Sequence, residues 1–265
     1  MLKKTIACLV LAGGAVLGTA TPALAQQTLN FNIGYFALRG ESGRVGANCN
    51  NCGANVDVLV ANRDFLAFNI KDFNSAMVGG EWLVPLGNFF EGGAGIGFTK
   101  RTVPTVYRDY VQADGSEVDQ KLQLRTVPVT FTVRALPFGQ TEPIQPYIGA
   151  GISVINWRYR ETGNFIDFST VPPTVFCAGT GAGCDPAFEA KGTATGPVIL
   201  GGIRFAGPTI SAGGEVRYQR ADKCLVASSI CKAVGPQGVG SDFAGNKLDL
   251  GGWTYMATVG YRFGR

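Results

Sequence analysis

The side chains best suited to covalent chemistry in this sequence are cysteines. There are seven. Six of them fall into three local pairs: Cys49 and Cys52, Cys177 and Cys184, Cys224 and Cys231. An even number of thiols in an exported chain reads as a disulfide framework. The sequence leaves the connectivity open, and local pairing is the simplest choice. Closing 177–184 or 224–231 would contribute about 2.5 kcal/mol by the chain-entropy account. A redox role for Cys49-Asn-Asn-Cys52 needs a thioredoxin-like βαβ setting, and none surrounds it. Zinc held by several of these thiols is the other functional reading, and it is set aside for the disulfides. Histidine is absent, which excludes Ser-His-Asp triads, Cys-His pairs and histidine metal sites. Asp109, Asp114 and Glu117 lie close in sequence, but carboxylates in a solvated loop are ordinary. No catalytic residue, cofactor or metal is therefore assigned.

The thiols need an oxidising compartment, and the N-terminus supplies a route to one. Lys3 and Lys4 precede an apolar stretch from Ile6 to Leu17, and Ala23-Leu24-Ala25 forms a small-residue cleavage site. This pattern is a secretory signal peptide over residues 1–25, and it contains the seventh cysteine, Cys8. Residues 26–265 are then one mature domain. Its net charge is small, since 23 basic residues oppose 19 acidic ones in the whole chain. That balance does not suggest a nucleic-acid partner.

After Gln26 no apolar run is long enough for a membrane helix. Period-two alternation recurs instead. Leu29, Phe31, Ile33 and Tyr35 oppose Asn30, Asn32 and Gly34. Val78, Trp82 and Val84 oppose Gly79 and Glu81. Phe90, Ala94, Ile96 and Phe98 oppose Glu91, Gly93, Gly95 and Gly97. Val127, Val129, Phe131 and Val133 oppose Thr126, Thr130, Thr132 and Arg134. Ile148, Ala150 and Ile152 oppose Tyr147, Gly149, Gly151 and Ser153. Ile199, Ile203 and Phe205 oppose Gly202 and Arg204. Ile210, Val216 and Tyr218 oppose Ser211, Glu215 and Arg217. Trp253, Tyr255, Val259, Tyr261 and Phe263 oppose Thr254, Thr258 and Arg262. These are eight strands.

Their connections alternate in length. Short ones fall at Leu86–Asn88, Leu136–Gln145 and Ala206–Pro208. Long ones span Gly40–Asp72, Val103–Gln120, Arg158–Gly192 and Ala221–Lys247. Within the first long one, Phe65–Ile70 reads as an extension of the second strand. Short turns on one side and long loops on the other describe an all-β fold: an eight-stranded antiparallel up-and-down transmembrane β-barrel with four long extracellular loops. Trp253 to Phe263, tilted about 40°, rises roughly 25 Å, the height of a lipid-facing apolar band.

A soluble barrel with the apolar face inward is the competing reading. Charge decides between them. The polar face carries Glu81, Glu91, Arg134, Arg204, Glu215, Arg217 and Arg262, while the apolar face carries no charge in mid-strand. An eight-stranded barrel has an interior just wide enough for side chains, so these seven are expected to line it as a paired network. The glycines among them should relieve crowding opposite the large inward side chains.

Gln145-Pro-Tyr-Ile-Gly-Ala-Gly151 resembles the strand after a periplasmic turn in small outer-membrane barrels of the OmpA, OmpW and opacity-protein kind. Gly260-Tyr-Arg-Phe263 resembles the aromatic C-terminal signal of such barrels, except that Gly264 and Arg265 follow the aromatic. The resemblance covers the mature chain and implies residence in the outer membrane. It also implies recognition by the barrel-assembly machinery through the strand ending at Phe263, and no further domain after the barrel. The partners expected are outer-membrane lipid and an extracellular ligand of unknown kind. The expected role is structural and interactive, presenting disulfide-stapled extracellular loops. The alternative is a narrow passive channel for small molecules, apolar ones included.

Overall fold

A computed structural model describes residues 26–45, 56–168, 170–177, 188–225 and 243–264. The expected leader and Cys49, Cys52, Cys184 and Cys231 lie outside the described residues. The strands are β1 (Gln27–Leu38), β2 (Ser75–Pro85), β3 (Phe90–Val111), β4 (Glu117–Ala135), β5 (Ile144–Asp167), β6 (Thr174–Cys177), β7 (Phe188–Ala206), β8 (Ile210–Gln219), β9 (Asp222–Cys224), β10 (Lys247–Asp249) and β11 (Gly252–Phe263).

Eight of these form a closed antiparallel ring in the order β1-β2-β3-β4-β5-β7-β8-β11, as the alternation predicts. Closure comes from β1 and β11, paired from Gln27↔Phe263 to Leu38↔Gly252. With the first strand on the last, the sheet has no free edge, which is what a strand in hydrocarbon requires. β6 hairpins back on the end of β5, and β9 pairs with β10 in the last long connection. Cys224, at the end of β9, is disulfide-bonded; the cysteine it joins lies outside the described side chains.

The parity read from sequence holds around the ring. Phe31, Ile96, Phe131, Ile152, Ile199, Tyr255 and Val259 are half exposed on the outside, while Glu81, Arg134, Tyr147 and Glu215 are buried inside. Arginine in place of outward Phe131 should cost roughly 2–4 kcal/mol at mid-membrane depth. Gln123→Arg, outward on the same strand but above the apolar band, should cost close to nothing. Unfolding of the refolded variants in lipid vesicles measures both.

Two expectations need correction. Among the described residues, the segments 103–120 and 158–192 are largely strand, not loop. β3 and β4 run on as a hairpin to a turn at Gln112–Ser116, where Gln112 N–H donates to Ser116 O. β5 continues to Asp167 and β7 begins at Phe188. Most outward positions there are polar, so the apolar/polar contrast that marks the lower strands weakens. Nor is Phe65–Ile70 a strand extension. Leu66 makes one isolated bridge to Tyr107. The segment follows a short helix, α1 (Val58–Asn62), capped by the Asp57 side chain, and leads into a 3-10 turn at Ile70–Phe73. Leu66, Phe68 and Ile70 are buried, so their alternation serves an interior core and not a sheet ladder.

Candidate functional site: the filled lumen

The lower lumen is built from inward positions near the short turns. Glu81 (β2), Glu91 (β3), Arg134 (β4), Arg204 (β7), Glu215 and Arg217 (β8) all converge there and are buried. Arg134 is the hub. Its guanidinium ion-pairs with Glu81, with Glu215 at 2.8 Å and with Glu91 at 3.6 Å. It also lies over the Tyr147 ring, 4.8 Å from the centroid. Arg204 grips Glu91 at 2.9 and 3.3 Å. Arg217 donates to Glu215 at 2.7 Å, to Glu81 at 3.4 Å and to Thr130 Oγ1 at 3.1 Å. Three arginines thus balance three glutamates. Charges taken out of water need such multiple partners.

Glycines make the room. Across the ladder Glu81 faces Gly95, Arg134 faces Gly149, Glu215 faces Gly202 and Arg204 faces Gly213. A Cβ on Gly202 would lie 2.6 Å from Tyr147 Oη, and one on Gly149 would lie 3.0 Å from Arg134 Cγ. Two uncharged side chains missed in the sequence complete the cluster. Tyr147 donates to Glu215 at 3.0 Å. Gln145 accepts from Arg204 at 2.6 and 2.9 Å and donates to the Gln140 and Glu142 carbonyls of the β4–β5 turn. Their inward parity was legible; their role needed the register. The seventh charge, Arg262, is half-buried and donates to Gly207 O at 2.7 Å, at the β7–β8 turn.

Above this network the interior becomes apolar. Val58, Leu59 and Val60 of α1, with Leu66, Phe68, Ile70 and Phe73 after it, pack against Leu122, Ile155, Trp157, Leu248 and Leu250. The described part of the first long connection from Val58 to Phe73 is therefore folded into the mouth of the barrel.

Polar clamps hold it there. Asp57 accepts two bonds from Arg44 at 2.7 and 2.8 Å, one from Leu59 N–H at 3.0 Å and one from Asp249 N–H at 2.7 Å. Arg39 donates to Asp249 at 2.9 Å, which ties the first long connection to the last. On the opposite side of α1, Asn62 Nδ2 donates to Glu161 Oε1 at 2.6 Å and to Tyr159 Oη at 3.0 Å, and Tyr159 donates to the same carboxylate oxygen at 2.8 Å. Burial pushes the Glu161 carboxyl up to about 7, although both hydrogen bonds pull it down. Burial also lifts the Tyr159 phenol well above its usual range, and the neighbouring Glu161 adds to the shift. None of these clamps was foreseen. Glu161 continues the odd, inward parity of Tyr147, Ser153 and Trp157, but that parity is visible only once β5 is known to extend past Val154.

Among the described residues no group of three or more cysteine or acidic side chains is placed to hold a metal. What the interior offers is a neutral, interlocked charge cluster below and an apolar plug above. This defines a class: a small closed β-barrel with an apolar outside and a side-chain-filled inside.

Small outer-membrane β-barrels of known structure resemble the chain. The N-terminal barrel domain of OprF from Pseudomonas aeruginosa matches with a TM-score of 0.39 and 12% identity, over 90% of this chain and 97% of that one. Escherichia coli outer membrane protein W matches with a TM-score of 0.38 and 13% identity, over 90% and 98%. Ail, the attachment invasion locus protein of Yersinia pestis, matches with a TM-score of 0.36 and 10% identity, over 90% and 99%. No protein-family model and no curated protein matches the chain.

Proposed function

We propose that this protein is a structural barrel of an outer membrane, exported through its leader, which keeps its interior closed and works through its outer hairpins and loops. The observation that carries this reading is the double filling of the lumen. Arg134 is 1% exposed at the hub of the charge network, and Leu59 is fully buried in the plug above it. A role without catalysis is consistent with the lower lumen, where three arginines and three glutamates are spent on one another. The strand ending at Phe263 is the segment we expect the barrel-assembly machinery to read. The long connections carry the three cysteine pairs, and the disulfide at Cys224 supports stapled loops.

A narrow passive path is the second reading. Asn30 Oδ1, Asn32 Oδ1 and Ser211 Oγ are buried along the β1–β11–β8 wall with no hydrogen-bond partner among the described residues. Unpaired polar atoms favour interior water, and a file of water is the minimum of a channel.

Fractionation tests the membrane placement. The mature protein should sediment with outer membranes, resist salt extraction and migrate faster unboiled than boiled on a detergent gel. Recovery of most of it in a soluble periplasmic fraction would refute the reading. A non-reducing digest should link 49 to 52, 177 to 184 and 224 to 231, with reduction leaving the fast-migrating barrel intact. Six alkylatable thiols in native protein would end the disulfide part alone.

A further inference from the structure

At the short-turn end of the ring, β2–β3, β4–β5 and β7–β8 are each linked by a turn. β1 and β11 meet there without one, held by the ladder alone from Gln27↔Phe263 upward. β1 begins at Gln27. A single residue, Gln26, therefore precedes the first rung once the leader is removed after Ala25. Chain ends are where fraying and attack by proteases begin. Loss of Gln26 and then of Gln27 would take the first rung out of the pairing that closes the barrel.

The two glutamines at this end are held differently. Gln27 sits in the ladder, and its Oε1 accepts from the Trp82 indole at 2.9 Å. Gln26 stands outside the ladder and is partly exposed. Its Nε2 donates to Pro208 O, at the β7–β8 turn, at 2.5 Å in an exposed position. A hydrogen bond that water can replace holds its partners weakly. It also cannot form before the β7–β8 turn stands beside β1, so the freshly cleaved chain end is not restrained by it.

We propose that Gln26 is a modification site: the mature N-terminus is a pyroglutamate, formed by attack of the Gln26 α-amine on its own side-chain carbonyl carbon. The inference rests on the removal of the leader proposed above. The Nα–Cδ bond forms and the Cδ–Nε2 bond breaks. One amine proton passes to the departing nitrogen, which leaves as ammonia. No oxidant, reductant or second substrate enters. Nucleophile and carbonyl sit on one residue and close a five-membered ring, so the step has the advantage of an intramolecular reaction. Roughly a tenth of an α-amine is neutral at pH 7, which supplies the nucleophile. The product carries no terminal ammonium for an aminopeptidase to grip, and it gives up the Gln26 bond to Pro208 O. Gln27 keeps its place between Trp82 and Phe263. The cap thus protects the loose end of the closing pair of strands.

The test uses the full chain, expressed with its leader and recovered from outer membranes. Free amines are dimethylated on the intact protein before trypsin is added, so that ring closure after digestion cannot imitate the native cap. The peptide from Gln26 to Arg39 should be unlabelled and about 17 Da lighter than its glutamine form, the mass of one ammonia. Added aminopeptidase should leave that end whole. Gln26→Ser keeps a small-residue cleavage site before it and lacks the amide. This variant should be dimethylated at residue 26 and should lose that residue to the same enzyme. Fast migration of the unboiled variant shows that its barrel stands. A dimethylated Gln26 in wild type, or trimming of wild type equal to that of the variant, would overturn the proposal and leave the leader reading intact. An N-terminus at any other residue would overturn it together with cleavage after Ala25.

Discussion

Replacing Arg134 with methionine destabilises the barrel by about 3–5 kcal/mol, the range for stranding a buried charge by removing its partner. The arginine touches all three glutamates of the lower lumen, so its loss leaves one negative charge in excess among Glu81, Glu91 and Glu215. Removing Glu81 alone, as Glu81→Gln, should also destabilise, because Arg134 and Arg217 both turn to it. The double variant restores neutrality. It should be less damaged than the two single effects added together, with a coupling of about 1–3 kcal/mol. Urea unfolding of the four proteins in lipid vesicles closes the cycle. Additive costs would mean that the cluster is a set of independent contacts and not one charge-balanced unit.

The second large effect depends on pH. Glu161 is buried, its hydrogen bonds come from neutral Asn62 and Tyr159, and no cation among the described residues pairs with it. Tyr107, which also senses this carboxylate, is a phenol whose own proton burial holds more firmly. The carboxyl is held at about 7 against its ordinary value of 4.5. The folded state therefore binds the proton more tightly than the unfolded chain does. Its contribution is fully present below about pH 4.5 and is lost as pH rises through about 7, a change of about 3 kcal/mol at 1.36 kcal/mol per pH unit. Glu161→Gln keeps the oxygen that both donors use and cannot ionise. It should remove this slope, matching wild type near pH 5 and exceeding it at pH 8. Parallel stability curves for the two proteins across that range would show that Glu161 is ionised or solvated in the folded protein.

The two sets of residues differ in how well the sequence announces them. The ring of eight strands was legible because its apolar and polar faces meet different media, so every second residue reports its side. The lumen positions of Glu81, Glu91, Arg134, Arg204, Glu215 and Arg217 followed from the same parity. Their pairing did not. Arg134 reaches Glu215 across the barrel, between strands that are not neighbours, and no local pattern encodes such a contact. Past Val103 and Arg158 the outside of the sheet no longer faces apolar surroundings. The alternation fades there, although the hydrogen-bonded ladder continues. The plug was hidden for a different reason. Val58-Leu-Val-Ala-Asn62 is too short to show helical periodicity, and Phe65–Ile70 alternates as a strand would while filling a core. Asp57 was the one local clue, as the cap of α1.

The central claim is that the lumen is closed, by ion pairs below and by α1 with its apolar neighbours above. Conductance across a planar lipid bilayer tests it most directly. Wild-type protein refolded and inserted at neutral pH should show no steady unitary current, while Arg134→Met/Glu81→Gln, with the lower lock removed, should conduct at most in brief bursts through the plugged mouth. A steady, reproducible channel from the wild type would contradict the closed lumen and make the narrow passive path the better account.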